Sequence, residues 1–140
     1  MIQSNQQRMK LEKRIEEKYS VLKPLEENIN SRIAPRLKKE FIFMQSSGVQ
    51  NIIVNMEEVK YTDSSGLSAF LFANRLCKNA SGLLVISNVN PHVMKLIKIS
   101  HLQTVFTILP TEKEAVECVF MHELEKEMSQ QEDSDASSAL

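Results

Sequence analysis

The sequence predicts an α/β protein, a single domain with a small mixed β-sheet covered by about four helices. Two short apolar runs, in residues 50–56 (QNIIVNM) and 83–87 (LLVIS), have the continuous hydrophobicity of strands that are buried on both faces. Segments with helical spacing alternate with these runs, and parallel strands need such crossover helices. The length of 140 residues suits one domain, which at this size buries roughly 68% of the surface of the unfolded chain.

The first third of the chain predicts two strands followed by a helix. The apolar residues of positions 9–25 lack a sustained helical period and run into Pro24, so two strands fit better than one helix. Asn30 or Ser31 is expected to cap the next helix, with Pro35 tolerated in its first turn. The helix is expected to run up to Gly48, because apolar residues recur at helical spacing before it: Ile33, Leu37, Phe41 and Met44.

The sequence of the rest of the domain predicts strands that alternate with helices. The elements expected are a strand at residues 50–56, a helix at 63–79, a strand at 83–87, a short helix at 91–99 and a strand at 105–109. Thr111 and Glu114 then form the T-x-x-E capping box of a closing helix. Its inner face is expected to carry Ala115, Val119, Met121 or His122, and Glu125.

The domain boundaries are predicted from where regularly spaced apolar residues begin and end along the chain. Residues 1–8 are expected to form a flexible N-terminus, and residues 9–128 the folded domain. The final segment, residues 129–140 (SQQEDSDASSAL), lacks apolar anchors, which predicts a disordered tail.

Composition and charge exclude several classes of function. With 17 Lys and Arg against 18 Asp and Glu, the chain lacks the basic footprint of a nucleic-acid-binding protein. No apolar run approaches the length of a membrane span and the N-terminal residues are too polar for a secretory signal, which predicts a cytoplasmic protein without direct membrane insertion. Cys77 and Cys118 are expected to be free thiols within apolar segments. His122 and Glu123 lack a second histidine at Lys126, so neither a metal nor a cofactor is predicted.

The stretch Asp63-Ser64-Ser65-Gly66 stands where the helix of residues 63–79 is expected to begin. Asp63 suits the N-cap, Ser64 and Ser65 fall in the first turn, and Gly66 is expected to keep the approach open. The free amides and dipole of a helix start favour a phosphate there. On composition alone, capping without further function is the simpler interpretation. Neither a nearby histidine nor a G-x-S-x-G elbow supports catalysis, so no enzyme is predicted.

The helix that follows this stretch has a narrow polar stripe. At the helical period the stripe contains Ser68, Arg75 and Asn79. Packing on the sheet is expected for Leu67, Phe70, Ala73 and Cys77. Leu71 and Phe72 are left on the shoulders, where either burial under a neighbouring helix or docking of a partner would account for them.

Three segments resemble the STAS family, the sulfate-transporter and anti-sigma-factor-antagonist domain: VLKPLEENINSRIAPRL, NIIVNMEEVKYTDSSGL and ISNVNPHVMKLIKISHLQTVF. The similarity covers roughly residues 9–121. TDSSGL resembles the family's D-S-[ST]-G-L phosphorylation motif, and residues 90–96 its N-P-x-V-x-x-L pattern. The chain departs from the family in LKPLEEN, which has Leu25 at an expected glycine and Asn28 near the expected aspartate, and at His101, where a glycine is also usual.

The resemblance implies a protein switch without catalysis of its own. Anti-sigma factor antagonists of the family bind an anti-sigma factor that is also a serine kinase, and so release a sigma factor. Phosphorylation of the serine after the motif aspartate, Ser64 here with Ser65 as second choice, blocks this binding, and a phosphatase restores it. The partner surface is expected to comprise Asp63, Ser64, Ser65, Gly66, Leu67, Leu71 and Phe72. The alternative is a STAS docking subunit of a lipid-transport or anion-transporter assembly, in which Ser64 is not phosphorylated.

Overall fold

A computed structural model describes residues 9–138 of the chain, with side chains up to residue 132. The described elements are β1 (Leu11–Ile15), β2 (Ser20–Pro24), β3 (Asn28–Ile29), α1 (Ala34–Ser46), β4 (Ile52–Asn55), β5 (Tyr61–Thr62), α2 (Ser64–Asn79), β6 (Leu84–Ser87), α3 (Pro91–Ile99), β7 (Thr107–Leu109) and α4 (Glu112–Ser138). The predicted α/β class, with one mixed sheet and four helices, is confirmed.

The main sheet has five strands in the order β1-β2-β4-β6-β7. The hairpin of β1 and β2 is antiparallel, and all other neighbours in this sheet are parallel. The two-stranded opening predicted from Pro24 and the irregular apolar period is therefore confirmed. A second, parallel pair joins β3 to β5. Sequence reasoning missed this pair, because two residues are too few to show a period.

Helices cover both faces of the main sheet. In β2, Leu22 belongs to the larger core, which the sheet shares with α1, α2 and α3, whereas Val21 belongs to a smaller core beneath α4. The same alternation occurs in β4, where Ile53 faces α4, because successive side chains of a strand point to opposite faces. This two-sided burial explains the continuous apolar runs from which the strands were predicted.

The start of α1 differs from the prediction that Asn30 or Ser31 would cap it. The helix has Ile33 at its N-cap, without a side-chain cap. Asn30 instead caps the turn that precedes the helix: its side-chain oxygen accepts from the amide of Arg32 at 3.0 Å, and its carbonyl accepts from the amides of Ile33 and Ala34 at 3.0 and 2.8 Å. Pro35 has no amide hydrogen, so the helix needs one hydrogen-bond acceptor fewer at this end.

The end of α3 shows why the expected glycine can be a histidine. His101 has a φ of 59°, the left-handed conformation that glycine adopts most easily. The amide of Leu102 donates to the carbonyl of Ile97 and that of His101 to Lys98, both at 3.0 Å, which is the Schellman pattern of a helix end. The histidine thus adopts the positive φ that a glycine would adopt more easily.

Helix α4 packs on the sheet through part of its predicted inner face. Ala115 and Val119 are buried as predicted, and His122 is half-buried. Of the alternatives Met121 and His122, the structure therefore selects His122, since Met121 is 56% exposed. The expectation was wrong for Glu125, which is exposed. Met121 lies about 120° from Ala115 around a helix with 100° per residue, too far for both to contact the sheet.

Polar contacts attach α4 to the sheet at two positions along the helix. Near its start, Glu112 accepts from the guanidinium of Arg14 at 2.9 Å and from the side-chain amide of Asn55 at 3.2 Å. Three turns later, Glu123 accepts from the side-chain amide of Asn51 at 2.7 Å. Asn51 is buried and also joins the loop before β2 to the start of β6, through Lys18 and Leu83.

The C-terminal tail differs from its prediction over residues 129–138. Helix α4 continues to Ser138 instead of giving way to disorder after Met128. Absence of apolar anchors removes packing but does not stop a helix, and this segment contains neither proline nor glycine to end it. The predictions for residues 1–8 and 139–140 lie outside the described residues.

Both cysteines are free, as predicted. Burial raises the pKa of the Cys77 thiol to about 12, which keeps it protonated at neutral pH. Cys118 is only half-buried, on the flank of the smaller core.

We expect acid to loosen the attachment of α4. Partial burial raises the pKa of Glu112 and of Glu123, but the hydrogen bonds from Arg14 and Asn55 to the first and from Asn51 and Lys126 to the second outweigh it. Both pKa values therefore lie below their ordinary 4.5. A depressed carboxyl pKa adds stability that is present above the ordinary value and is lost as the pH falls through the folded value.

Amide hydrogen exchange in α4 measured from about pH 5 to about pH 3, corrected for intrinsic exchange rates, checks this expectation. As the pH is lowered, protection of α4 should decrease in the natural protein. The decrease should be smaller in the Glu112→Gln, Glu123→Gln double variant. Glu117→Gln, on the exposed side of the helix, is the matched control and should behave like the natural protein. An equal loss of protection in all three proteins would contradict the assignment.

Candidate functional site at the start of helix α2

The aspartate of the D-S-S-G stretch caps α2 as predicted. Asp63 is extended, and its Oδ1 accepts from the amides of Ser65 at 2.9 Å and Gly66 at 3.1 Å. Its main-chain carbonyl accepts from the amide of Leu67 at 3.1 Å, which begins the helical ladder. The carboxylate therefore satisfies two of the free amides of the first turn and holds both serines in a fixed backbone.

A small parallel pair of strands, β3 and β5, supports this helix start. Thr62 pairs with Ile29, and its hydroxyl donates to the Ile29 carbonyl at 2.9 Å. The amide of Asp63 lies 3.3 Å from the same carbonyl oxygen. The segment LKPLEEN, in which the chain differs from the family pattern, leads directly into β3. It therefore lies beside the motif in the folded protein.

Gly66 has a packing role that differs from the predicted one. It is buried, and a β-carbon placed on it would collide with the Thr62 hydroxyl and lie 2.8 Å from the Ile29 carbonyl oxygen. Its missing side chain lets the first turn of α2 lie directly on β3 and β5, rather than keeping an approach from solvent open. The expectation of an open approach was therefore wrong at this position.

The two serines of the motif differ in exposure. Ser64 is exposed and Ser65 is half-buried. Together with Ser68 they line one wall of an open groove of about 400 Å³ between α1 and α2. The other lining residues are Ser31, Ala34, Pro35 and Lys38.

Lys38 is the charged residue among those that line this groove, and it is half-buried. No histidine, aspartate or glutamate is among the described lining residues, so the groove itself offers no general base to activate a serine. An ammonium group and the positive end of a helix favour an anion in the groove.

The rest of α2 follows the predicted faces. The polar stripe of Ser68, Arg75 and Asn79 is exposed, and the four residues expected on the sheet are buried. Leu71 and Phe72 are both half-buried. Leu71 packs against the larger core. Phe72 follows the groove residue Ser68 by one helical turn, so the two share a face of α2.

Two groups at the site were missed by sequence reasoning. Thr62 was treated as part of a link, although its place directly before the motif was a usable signal. Lys38 is an ordinary polar position of α1, and only the packing of α1 against α2 brings it to the serines. Elsewhere, the described part of the chain contains no helix long and apolar enough to cross a membrane, and the side chains described up to residue 132 include no group of three or more that could hold a metal ion.

Comparison with known proteins places the fold and motif in a family. The family model of the STAS domain matches residues 4–115, and the chain belongs to this family. BtrV of Bordetella bronchiseptica, named as a candidate anti-sigma factor antagonist, is 25% identical over 80 residues, which are 57% of this chain and 69% of BtrV.

Two solved structures share the fold. The Bacillus cell fate determinant SpoIIAA in its phosphorylated form is similar with a TM-score of 0.61 and 24% identity, over 80% of this chain and 99% of that one. The murine anion transporter Slc26a9 in its inward-facing state has a TM-score of 0.62 and 12% identity, over 77% of this chain but only 18% of the transporter. The same fold thus occurs both as nearly a whole small protein and as a part of a transporter.

Proposed function

We propose that this STAS domain acts as an anti-sigma factor antagonist, a partner-switch protein whose binding is controlled by phosphorylation of Ser64. The observation that supports it most is the exposed Ser64 hydroxyl at the start of a helix whose backbone Asp63 and Gly66 hold in place. The name of BtrV and the phosphorylated form of SpoIIAA support the same role. The protein is a switch and not an enzyme in this proposal.

The proposed partner is an anti-sigma factor with serine-kinase activity. It docks over the start of α2, and this docking frees a sigma factor. Phosphate on Ser64 ends the docking, and a phosphatase removes the phosphate. Because sigma factors act on transcription, the proposal places the protein in the bacterial cytoplasm.

Ser65 is the second candidate for the phosphate, and exposure favours Ser64. Ser65 is half-buried, and its amide is bound to the Asp63 carboxylate, whereas Ser64 is exposed. A kinase must bring the hydroxyl to the γ-phosphate of ATP, which requires an accessible side chain.

Phosphorylation-site mapping tests the assignment. The full chain, and its Ser64→Ala and Ser65→Ala variants, are incubated with ATP and the kinase encoded by the source genome, and the modified peptides are identified by mass spectrometry. We expect phosphate on Ser64 in the natural protein and in Ser65→Ala, and none in Ser64→Ala. Phosphate on Ser65, or unchanged labelling of Ser64→Ala, would contradict the proposal.

If the partner docks over α2, Phe72 should contribute to binding. Phe72→Glu places a charge at the half-buried shoulder of the groove and should weaken binding of the anti-sigma factor by about tenfold, with little change in melting temperature. Leu71→Glu is the comparison: because Leu71 packs against the larger core, this variant should lose stability instead. Calorimetric titration and thermal unfolding separate the two outcomes, and equal loss of stability in both variants would favour burial over docking.

A docking module of a transporter assembly is the second candidate, favoured by the occurrence of the fold within Slc26a9. In that case Ser64 is not phosphorylated, and the protein copurifies with membrane proteins. An adjacent transporter operon supports this alternative, whereas an adjacent kinase-like ATPase or sigma factor gene supports the switch.

A further inference from the structure

The side of α4 that faces away from the sheet is unusually apolar. Phe120, Met121, Leu124 and Met128 are exposed by 49%, 56%, 48% and 57% of their surfaces. At 100° per residue these four side chains span an arc of about 100° on the side opposite to Ala115 and Val119. We call these four residues the outward face of α4.

This arrangement is more than scattered surface hydrophobicity. Single exposed apolar residues are normal, whereas a continuous stripe on one helix marks an interaction surface. One member of the stripe is also held in position, because the ring of Phe120 meets that of Tyr19 edge-on at 6.1 Å between centroids. The outward face is thus partly ordered before any partner binds.

The charges around the outward face identify the chemistry of its partner. Glu117 lies within the arc, and exposed Glu125, Glu127 and Glu132 lie along its edges. Exposed Lys113 has an angular position within the arc but precedes Phe120 by seven residues, about 10 Å along the helix axis. Lys126, on the opposite side, is engaged by the Ser81 carbonyl at 2.9 Å and by Glu123 at 3.0 Å. The face therefore combines an apolar centre with an acidic rim.

We propose that the outward face of α4 is a second docking surface, which binds a basic amphipathic helix of a partner protein. Apolar side chains of such a helix cover the stripe while its Lys and Arg meet the glutamates. A second copy of this chain fits poorly, since it would oppose one acidic rim to another. Residues 1–8 (MIQSNQQR) also fit poorly, because they contain one basic and two apolar residues.

The surface is independent of the proposed phosphorylation site. α4 packs on the smaller core, whereas α2 with its motif packs on the larger core across the sheet. A partner on the outward face can therefore be bound whether or not the start of α2 is occupied.

Binding of a designed probe tests the proposal with the full chain. The probe is a synthetic helical peptide with Leu on one face and Lys on the other, and its twin has Glu in place of every Lys. With ¹³C-labelled methionine methyl groups, we expect the Leu/Lys peptide to shift the signals of Met121 and Met128 and to leave those of buried Met44 and Met56 in place. The Leu/Glu twin should bind at least about tenfold more weakly.

Variants decide whether the named face carries the binding. Leu124→Ser should weaken binding of the Leu/Lys peptide by about tenfold without lowering the melting temperature. Phe43→Ser is the matched control, since Phe43 is 61% exposed on α1, and it should bind as the natural protein does. Equal binding of both peptides, unmoved Met121 and Met128 signals, or an unaffected Leu124→Ser would overturn the proposal. Sedimentation showing a dimer that Leu124→Ser abolishes would assign the face to a second copy instead.

Discussion

Phosphorylation of Ser64 should lower the affinity of the anti-sigma factor by about a hundredfold or more, because a charge of about −1.5 to −2 then lies under the docked partner. The partner would have to remove water from this phosphate, which stands beside the Asp63 carboxylate. Like charges brought together in an interface cost several kcal/mol, and about 2.7 kcal/mol is already a hundredfold. The expected result is loss of binding, measured by calorimetric titration of the phosphorylated and unmodified proteins.

The same phosphate should change the stability of the folded domain much less than it changes partner binding. Ser64 is exposed, and the helix dipole stabilises an anion at this position by about 0.3–1 kcal/mol. Lys38 lines the same groove and adds a cation. The melting temperature of the phosphorylated protein should therefore stay within a few degrees of the unmodified one, since about 1 kcal/mol corresponds to a few degrees at this size.

Three variants provide the controls for this prediction. Ser64→Ala should bind the partner like the unmodified protein, and Ser64→Asp should bind more weakly, though less so than the phosphorylated protein because Asp carries less charge. Ser65→Ala should bind normally and still respond to the kinase. If phosphorylated and unmodified proteins bind equally, the switch proposal fails; if the phosphate unfolds the domain, the assumed tolerance of the helix start is wrong.

The regular elements were predictable because they carry periodic signals. The apolar runs of β4 and β6 are continuous since both faces of the sheet are covered, and α3 has a cap and a proline at its start. The cap at Asp63 needed only the residue type and its place after a strand. Such features depend on a few neighbouring residues, so the sequence displays them directly.

Other features depend on contacts between distant segments, which one sequence does not display. Strand β3 exists because β5 pairs with it, and neither has enough residues to form a pattern. Lys38 lines the same groove as the serines only because α1 packs on α2. The sequence left the choice between Met121 and His122 for the inner face of α4 open, because that helix has apolar residues on two opposite sides and a single period cannot separate them.

Gly66 shows how such a contact reverses a local rule, and we expect Gly66→Ala to destabilise the protein by about 2 kcal/mol. Helix propensity alone predicts the opposite, because Ala in a helix is better than Gly by about 1 kcal/mol. The added methyl group would meet the Thr62 hydroxyl and the Ile29 carbonyl oxygen, the latter at 2.8 Å. The threonine can turn away only by giving up its hydrogen bond, and the carbonyl belongs to β3 and cannot move without it. Urea unfolding measures the change.

Comparison with two other variants isolates the cause. Gly48→Ala has open space around its new methyl group but a φ of 93°, so it should cost about 1 kcal/mol of backbone strain and leave partner binding intact. Gly66→Ala should weaken partner binding as well, because a shift of the first turn of α2 displaces Ser64. Adding Thr62→Ala to Gly66→Ala removes one of the two collisions and should restore only part of the stability, since the Ile29 carbonyl remains. A Gly66→Ala protein as stable as the natural one would show that the first turn of α2 does not lie on β3 as described, and that the glycine of the motif serves the partner instead of the fold.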